Sequence, residues 1–145
     1  MRDHLRRRWV EDEVCRLALR FGEVEYDERA GSWVMLPRFP LGPRLGRPDC
    51  ALLIELPPAY PAIPPYGVYV DRDLPLDDHY FPQDGDLNPH AHEGWAWLCL
   101  HARRGDSGAW RPGARVPDGD NLLVLLVLVR ALLDGAARER SHGDG

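Results

Sequence analysis

Cys99 lies in the segment Gly94-Trp95-Ala96-Trp97-Leu98-Cys99-Leu100-His101. Read as an extended strand of period two, the segment puts Ala96, Leu98 and Leu100 on one side. Trp95, Trp97, Cys99 and His101 fall on the other. A strand anchored by its aliphatic face displays the thiol outward, between tryptophans and beside an imidazole. A structural cysteine belongs more often with the aliphatic set, because free Cys behaves as a small hydrophobe. The pattern therefore displays the thiol on the outer face of its strand. Two further imidazoles, His90 and His92, precede it in a stretch rich in aspartate, and imidazole with thiolate is also a zinc-ligand chemistry. A third group of interest is cationic: Arg6, Arg7 and Arg8, near the start of the chain, form a cluster that is either a solvated face or a contact for a partner protein.

The elements that must position these groups can be read from periodicity. From about Arg2 to Phe21, Val10, Val14, Leu17 and Phe21 recur every three to four residues and mark one helical stripe, which Gly22 is placed to end. Cys15 lies off that stripe. Strand character follows at Ser32 to Leu36, at Cys50 to Leu56 with Cys50, Leu52, Ile54 and Leu56 on one face, and at Val68 to Val70. Pro40, Gly42, Pro43, Gly46 and Pro48, then the prolines from Pro57 to Pro65, read as edges and turns. Asp71 to Gly94 shows little periodicity and reads as a long loop, either functional or disordered. A second irregular stretch, Arg103 to Gly119, leads to an apolar helix with Leu122, Leu125, Leu126, Val129, Leu132 and Leu133, capped by Asp118 or Asp120. Gly135 and the polar tail from Ala136 to Gly145 suggest fraying.

Composition bounds what this fold can do. The chain has 145 residues, 44% hydrophobic and 28% charged, as expected of one ordinary globular domain. A domain of this size buries roughly 70% of its unfolded surface. A net charge of −5 argues against nucleic acid as partner. The start lacks the apolar core of a secretory signal, and the longest apolar run, Leu122 to Val129, falls far short of the ~20 residues that span a bilayer. Three cysteines without CxxC spacing suggest a reducing compartment. The expectation is a single cytoplasmic domain over residues 1–135, with a flexible tail over 136–145 and no membrane partner.

The order of motifs resembles the ubiquitin-conjugating enzyme family, in particular its divergent bacterial branch. The carriers are Tyr60-Pro61-Ala62-Ile63-Pro64-Pro65, then Leu98-Cys99-Leu100, then Trp110-Arg111-Pro112, then the apolar helix. The resemblance runs from about residue 30 to residue 134. It implies an α+β fold: an N-terminal helix, a four-stranded antiparallel meander, the active cysteine in an extended segment after the sheet, and a C-terminal helix. It also implies an acyltransferase without a cofactor. Cys99 would accept the C-terminal glycine of a ubiquitin-like protein as a thioester from an activating enzyme and pass it to an amine of a protein target. The activating enzyme would dock on the N-terminal helix through Arg6, Arg7 and Arg8. In bacteria such enzymes typically sit beside genes for an activating enzyme, a ubiquitin-like protein and a deubiquitinase-like peptidase, often in antiphage defence.

One departure stands out. The family places His-Pro-Asn about ten residues before the cysteine, where this chain reads Leu87-Asn88-Pro89-His90-Ala91-His92-Glu93. His90, His92 or Asn88 is expected to replace the missing asparagine in steadying an oxyanion or ordering the loop. Trp95 and Trp97 either line a groove for the partner's tail or pack beneath the loop. Trp110 and Pro112 support the active-site strand, and His101 is a neighbouring imidazole. Three other readings compete: an inactive binding scaffold of the same fold, a zinc protein using His90, His92, Cys99 and His101, and a cysteine hydrolase.

Overall fold

The computed structural model describes residues 3–77, 80–86, 88–100 and 110–137. Helix α1 (Asp3–Phe21) forms where the apolar stripe requires it, with Val10 and Leu17 fully buried and Val14 and Phe21 packed at its margin. Gly22, at φ 84°, closes the helix by donating its N–H to the Ala18 carbonyl at 2.9 Å. A side chain is strained at that φ, so glycine suits the position.

Six strands follow: β1 (Glu25–Tyr26), β2 (Trp33–Pro40), β3 (Asp49–Glu55), β4 (Gly67–Asp71), β5 (Tyr80–Phe81) and β6 (Trp95–Cys99). They make one antiparallel sheet in the order β1-β2-β3-β4-β6-β5. Helix α2 (Leu122–Ala136) completes an α+β domain. Alternation in β3 and β6, and over the first half of β2, drives one sheet face inward. Val34, Leu36, Cys50, Leu52, Ile54, Val68, Val70 and Leu98 are almost wholly buried and share one core with Val10 and Leu17 of α1 and Leu122, Leu126, Val129 and Leu133 of α2.

The structure differs from the sequence reading in several places. The sheet has six strands where four were expected. The cysteine segment is itself a sheet strand, because its N-terminal neighbours pair with β4, and two residues of the supposed loop, Tyr80 and Phe81, add an edge to it. Strand β2 runs four residues beyond Leu36 through Pro37 to Pro40. Proline is tolerated there because β1 pairs only with Val34 and Met35, and the β2–β3 register shifts between Leu36 and Phe39.

At the second helix, neither Asp118 nor Asp120 is the cap. Asn121 is the N-cap, accepting the Val124 N–H at 3.0 Å, while Asp120 accepts the Arg111 N–H and Asp118 pairs with Arg115. Helix α2 continues through Gly135 to Ala136. Its last carbonyls have partners: Asp134 accepts from Arg44 at 3.0 Å and Ala136 accepts from Asp77 at 2.7 Å. Ala137 is buried and bridges to Leu76. Residues 138–145, the rest of the expected tail, lie outside the described residues. Among the described residues no helix is long and apolar enough to cross a membrane.

Candidate active site around Cys99

Cys99 is the last residue of β6 and half-buried, and it stands opposite Gly67 of β4. The alternation along β6 is as the sequence suggests: Ala96 and Leu98 are buried, and Trp95, Trp97 and Cys99 alternate with them on the outer face. The next residue, Leu100, is buried and donates its N–H to the Tyr66 carbonyl at 3.0 Å. The thiol is thus held at the end of a hydrogen-bonded ladder, within the sheet and not beyond it.

The Tyr60–Pro65 corner closes the same end. Tyr60 is wholly buried, and its ring lies 6.3 Å from that of Trp110. Trp110 donates its indole N–H to the Pro61 carbonyl at 2.7 Å. The proline corner, the cysteine strand and the tryptophan after it therefore meet, although 49 residues separate Pro61 from Trp110. Pro112 follows Trp110, and the next backbone tie there is the Arg111 carbonyl accepting from Asp120. The corner leaves Ile63 and Tyr66 exposed beside this end of the sheet.

Trp95 and Trp97 are both half-buried on the outer face. Trp97 stands opposite Tyr69, with ring centroids 5.0 Å apart, and its indole fills the room left by the missing side chain of Gly67. Trp95 pairs with Asp71 in the backbone register.

His90 meets Tyr69 edge-on at 4.9 Å. Both of its ring nitrogens are engaged, Nδ1 with Glu93 at 2.9 Å and Nε2 with Glu55 at 3.2 Å. Burial pushes this imidazole's pKa down, but the hydrogen bonds and charges of Glu55 and Glu93 outweigh burial and raise it above the usual value. His90 also precedes the short 3-10 turn Ala91–Glu93, which Gly94 closes at φ 91°. The imidazole accordingly ties the loop before β6 to the outer face of the sheet. His92 is two-thirds exposed, with Asp84 and Glu93 as its nearest carboxylates.

Asn88 is buried. Its amide N–H groups donate to the Phe81 carbonyl at 2.5 Å and the Trp95 carbonyl at 3.1 Å, which staples β5 to the start of β6. In this arrangement Asn88 and His90 order the loop, and neither makes a hydrogen bond to Cys99. His101 lies outside the described residues. Among the described residues no group of three or more His, Cys, Asp and Glu side chains is placed to hold a metal ion.

The arginine cluster divides. Arg6 is half-buried and donates to the carbonyls of Ala30 at 3.1 Å and Pro57 at 3.1 Å. Arg7 donates to the Arg29 carbonyl at 3.3 Å, and Arg8 is exposed. Cys15 is exposed and Cys50 buried, where burial pushes the Cys50 thiol up to about 12.

Periodicity and motif order had not drawn attention to Glu13, Glu55, Gly67 or Tyr69. Glu13 carried a signal, since it lies three residues after Val10 and four before Leu17, a carboxylate at an apolar spacing. Glu55, Gly67 and Tyr69 carried none, because their importance comes from strand pairing. The chain has no lysine, so its Lys and Arg total of 18 is all arginine. No protein-family model, curated protein or solved structure matches this chain.

Proposed function

We propose that this chain is a ubiquitin-conjugating-type acyltransferase, of the fold that its motif order resembles, with Cys99 as the thioester acceptor. One observation carries the reading: the Tyr60–Pro65 corner, the Leu98-Cys99-Leu100 strand and Trp110 converge at one end of the sheet through the Trp110–Pro61 and Leu100–Tyr66 hydrogen bonds. Proline-rich turns and Trp-x-Pro triplets are individually common, and their joint placement around a half-exposed thiol is not.

In loading, the Cys99 sulfur attacks the glycyl carbonyl of a thioester carried by an activating enzyme. A new C–S bond forms, the old one breaks, and the departing thiolate takes up a proton. In discharge, a neutral amine of a target attacks the same carbonyl, the C–N bond forms, Cys99 leaves as thiolate, and the amine loses its proton to solvent. Negative charge gathers on the carbonyl oxygen in both steps, where a well-placed donor is worth ~10²–10³ in rate. His90 has both nitrogens committed to carboxylates, so its part in discharge is to hold the loop beside the strand; His92 keeps the freer ring. Arg7 and Arg8, both exposed, offer the electrostatic contact to the activating enzyme, whereas Arg6 is half-buried and donates to three backbone carbonyls. The chain has no lysine, which fits an acceptor amine on another molecule.

The test uses the activating enzyme, ATP and ubiquitin-like protein of the same system. A thiol-sensitive adduct should form, vanish in Cys99→Ala, and become a thiol-resistant ester in Cys99→Ser. An adduct of full yield in Cys99→Ala refutes the assignment. Single-turnover discharge of the preformed adduct, with and without chelator, then separates the loop residues. His90→Ala or His92→Ala should slow discharge more than loading, and chelator should change neither.

A further inference from the structure

We propose that α1 is the positioning element of the active-site corner, acting through two side chains on its inner side, Glu13 and Arg6. The function assigned to the corner rests on the conjugating reading; the positioning itself does not.

Glu13 is only 2% exposed and accepts three hydrogen bonds from three different parts of the chain. Trp9, one turn earlier on α1, donates its indole N–H at 2.9 Å. The Leu122 backbone N–H, at the start of α2, donates at 2.6 Å, satisfying a helix N-terminal amide that has no partner within its helix. The third donor is the Tyr60 hydroxyl, at the heart of the proline corner. Burial raises the Glu13 pKa, and the bonds from Tyr60, Leu122 and Trp9 pull it back. A buried carboxylate is costly unless its lone pairs are filled, so the three donors and the carboxylate require one another.

Arg6, two turns before Glu13, reaches the same corner from its other end. Its guanidinium donates to the carbonyls of Leu56 and Pro57, at 3.4 and 3.1 Å, and to Ala30 at 3.1 Å. The segment from Leu56 to Tyr60 is thus bolted to α1 at both ends. From Tyr60 the connection passes by ring contact to Trp110, which holds the Pro61 carbonyl, and along the corner to Tyr66, whose carbonyl holds Leu100 beside the thiol. A rigid proline-rich corner transmits such a constraint well, because its φ angles are already fixed. Glu13 and Arg6 touch neither Cys99 nor an acyl group in this scheme. They set where the cysteine strand ends.

The test is amide hydrogen exchange resolved to single residues in Glu13→Gln and Tyr60→Phe. Glutamine keeps the size but offers one acceptor oxygen where the carboxylate offers two. Phenylalanine keeps the ring contact and removes only the hydroxyl. Protection of the Leu100 amide should fall by at least about 10-fold in each variant, the factor that a hydrogen bond to a charged group is worth, while amides of the β2–β3 pair keep theirs. A uniform loss across the sheet, or unchanged Leu100 protection in Tyr60→Phe, overturns the positioning role. Should Glu13→Gln fail to fold, Tyr60→Phe decides alone. The same variants are then mixed with a short synthetic peptide thioester ending in Gly-Gly, whose transfer to Cys99 should slow about 10-fold. If the unaltered protein does not accept the peptide but Leu100 loosens as expected, the conjugating reading falls and the positioning role stands.

Discussion

Gly67 faces Cys99 across the β4–β6 pair, and replacing it by alanine tests how tightly the outer face is closed around the thiol. A Cβ on Gly67 would lie 2.5 Å from Cζ2 and 2.7 Å from Cη2 of Trp97, and it would also meet the Leu98 carbonyl oxygen. Non-bonded carbons settle at about 3.5–4.0 Å, so the overlap with the indole is about 1 Å. Trp97 cannot simply swing away, because Tyr69 packs against it 5.0 Å off, and the Leu98 oxygen is backbone. Overpacking of this kind costs about 1–3 kcal/mol. Alanine restrains the unfolded chain and returns about 0.4–1 kcal/mol. The net loss is on the order of 1–2 kcal/mol, or a fall in Tm of about 2–8 °C for a domain of this size. Urea unfolding followed by far-UV circular dichroism should show the midpoint of Gly67→Ala lowered with an unchanged slope. Combining it with Trp97→Leu should recover part of the loss, leaving a coupling of at least about 0.5 kcal/mol between the two sites. A stability equal to or above that of the parent, or strictly additive effects, would refute the argument that Gly67 is there to admit the indole.

Two other measurements follow from the described geometry. A thiol reagent at pH 8 should titrate Cys15 and Cys99 in the native protein and reach Cys50 only after unfolding, because burial holds that thiol near 12; rapid native labelling of Cys50 would contradict its core placement. His90 has a raised folded pKa, so the folded state binds its proton more tightly than the unfolded chain, and the stabilisation is full below about 6.5 and lost as pH rises through the folded value. The gap in urea midpoint between the parent and His90→Gln should therefore be widest near pH 6 and narrow toward pH 9, and a gap independent of pH would remove the Glu55–His90–Glu93 ion pairing from the account.

Much of this protein was legible in the order of its residues, for reasons that are local. The helical stripe through Val10 and Leu17 follows from a 3.6-residue period. The burial of Cys50 among Leu52, Ile54 and Leu56 follows from a period of two, as does the side of β6 on which Cys99 lies. These patterns need no knowledge of what packs opposite. Other features exist only because distant segments meet. Tyr80 and Phe81 have no periodic signature, and they become a strand because β6 offers them an unpaired edge. Asn121, not a nearby aspartate, caps α2, since Asp118 is drawn to Arg115 and Asp120 to the Arg111 amide. Arg6 reads as one more exposed cation, and its role was set by the carbonyls of Leu56 and Pro57 coming within reach. Histidine in an aspartate-rich loop reads as a free imidazole, whereas the fold brings Glu55 from 35 residues away to fill its second nitrogen. Periodicity determined which face each side chain takes, and tertiary pairing decided which polar groups were left free to do chemistry, because hydrogen bonds are satisfied by whatever the fold brings near.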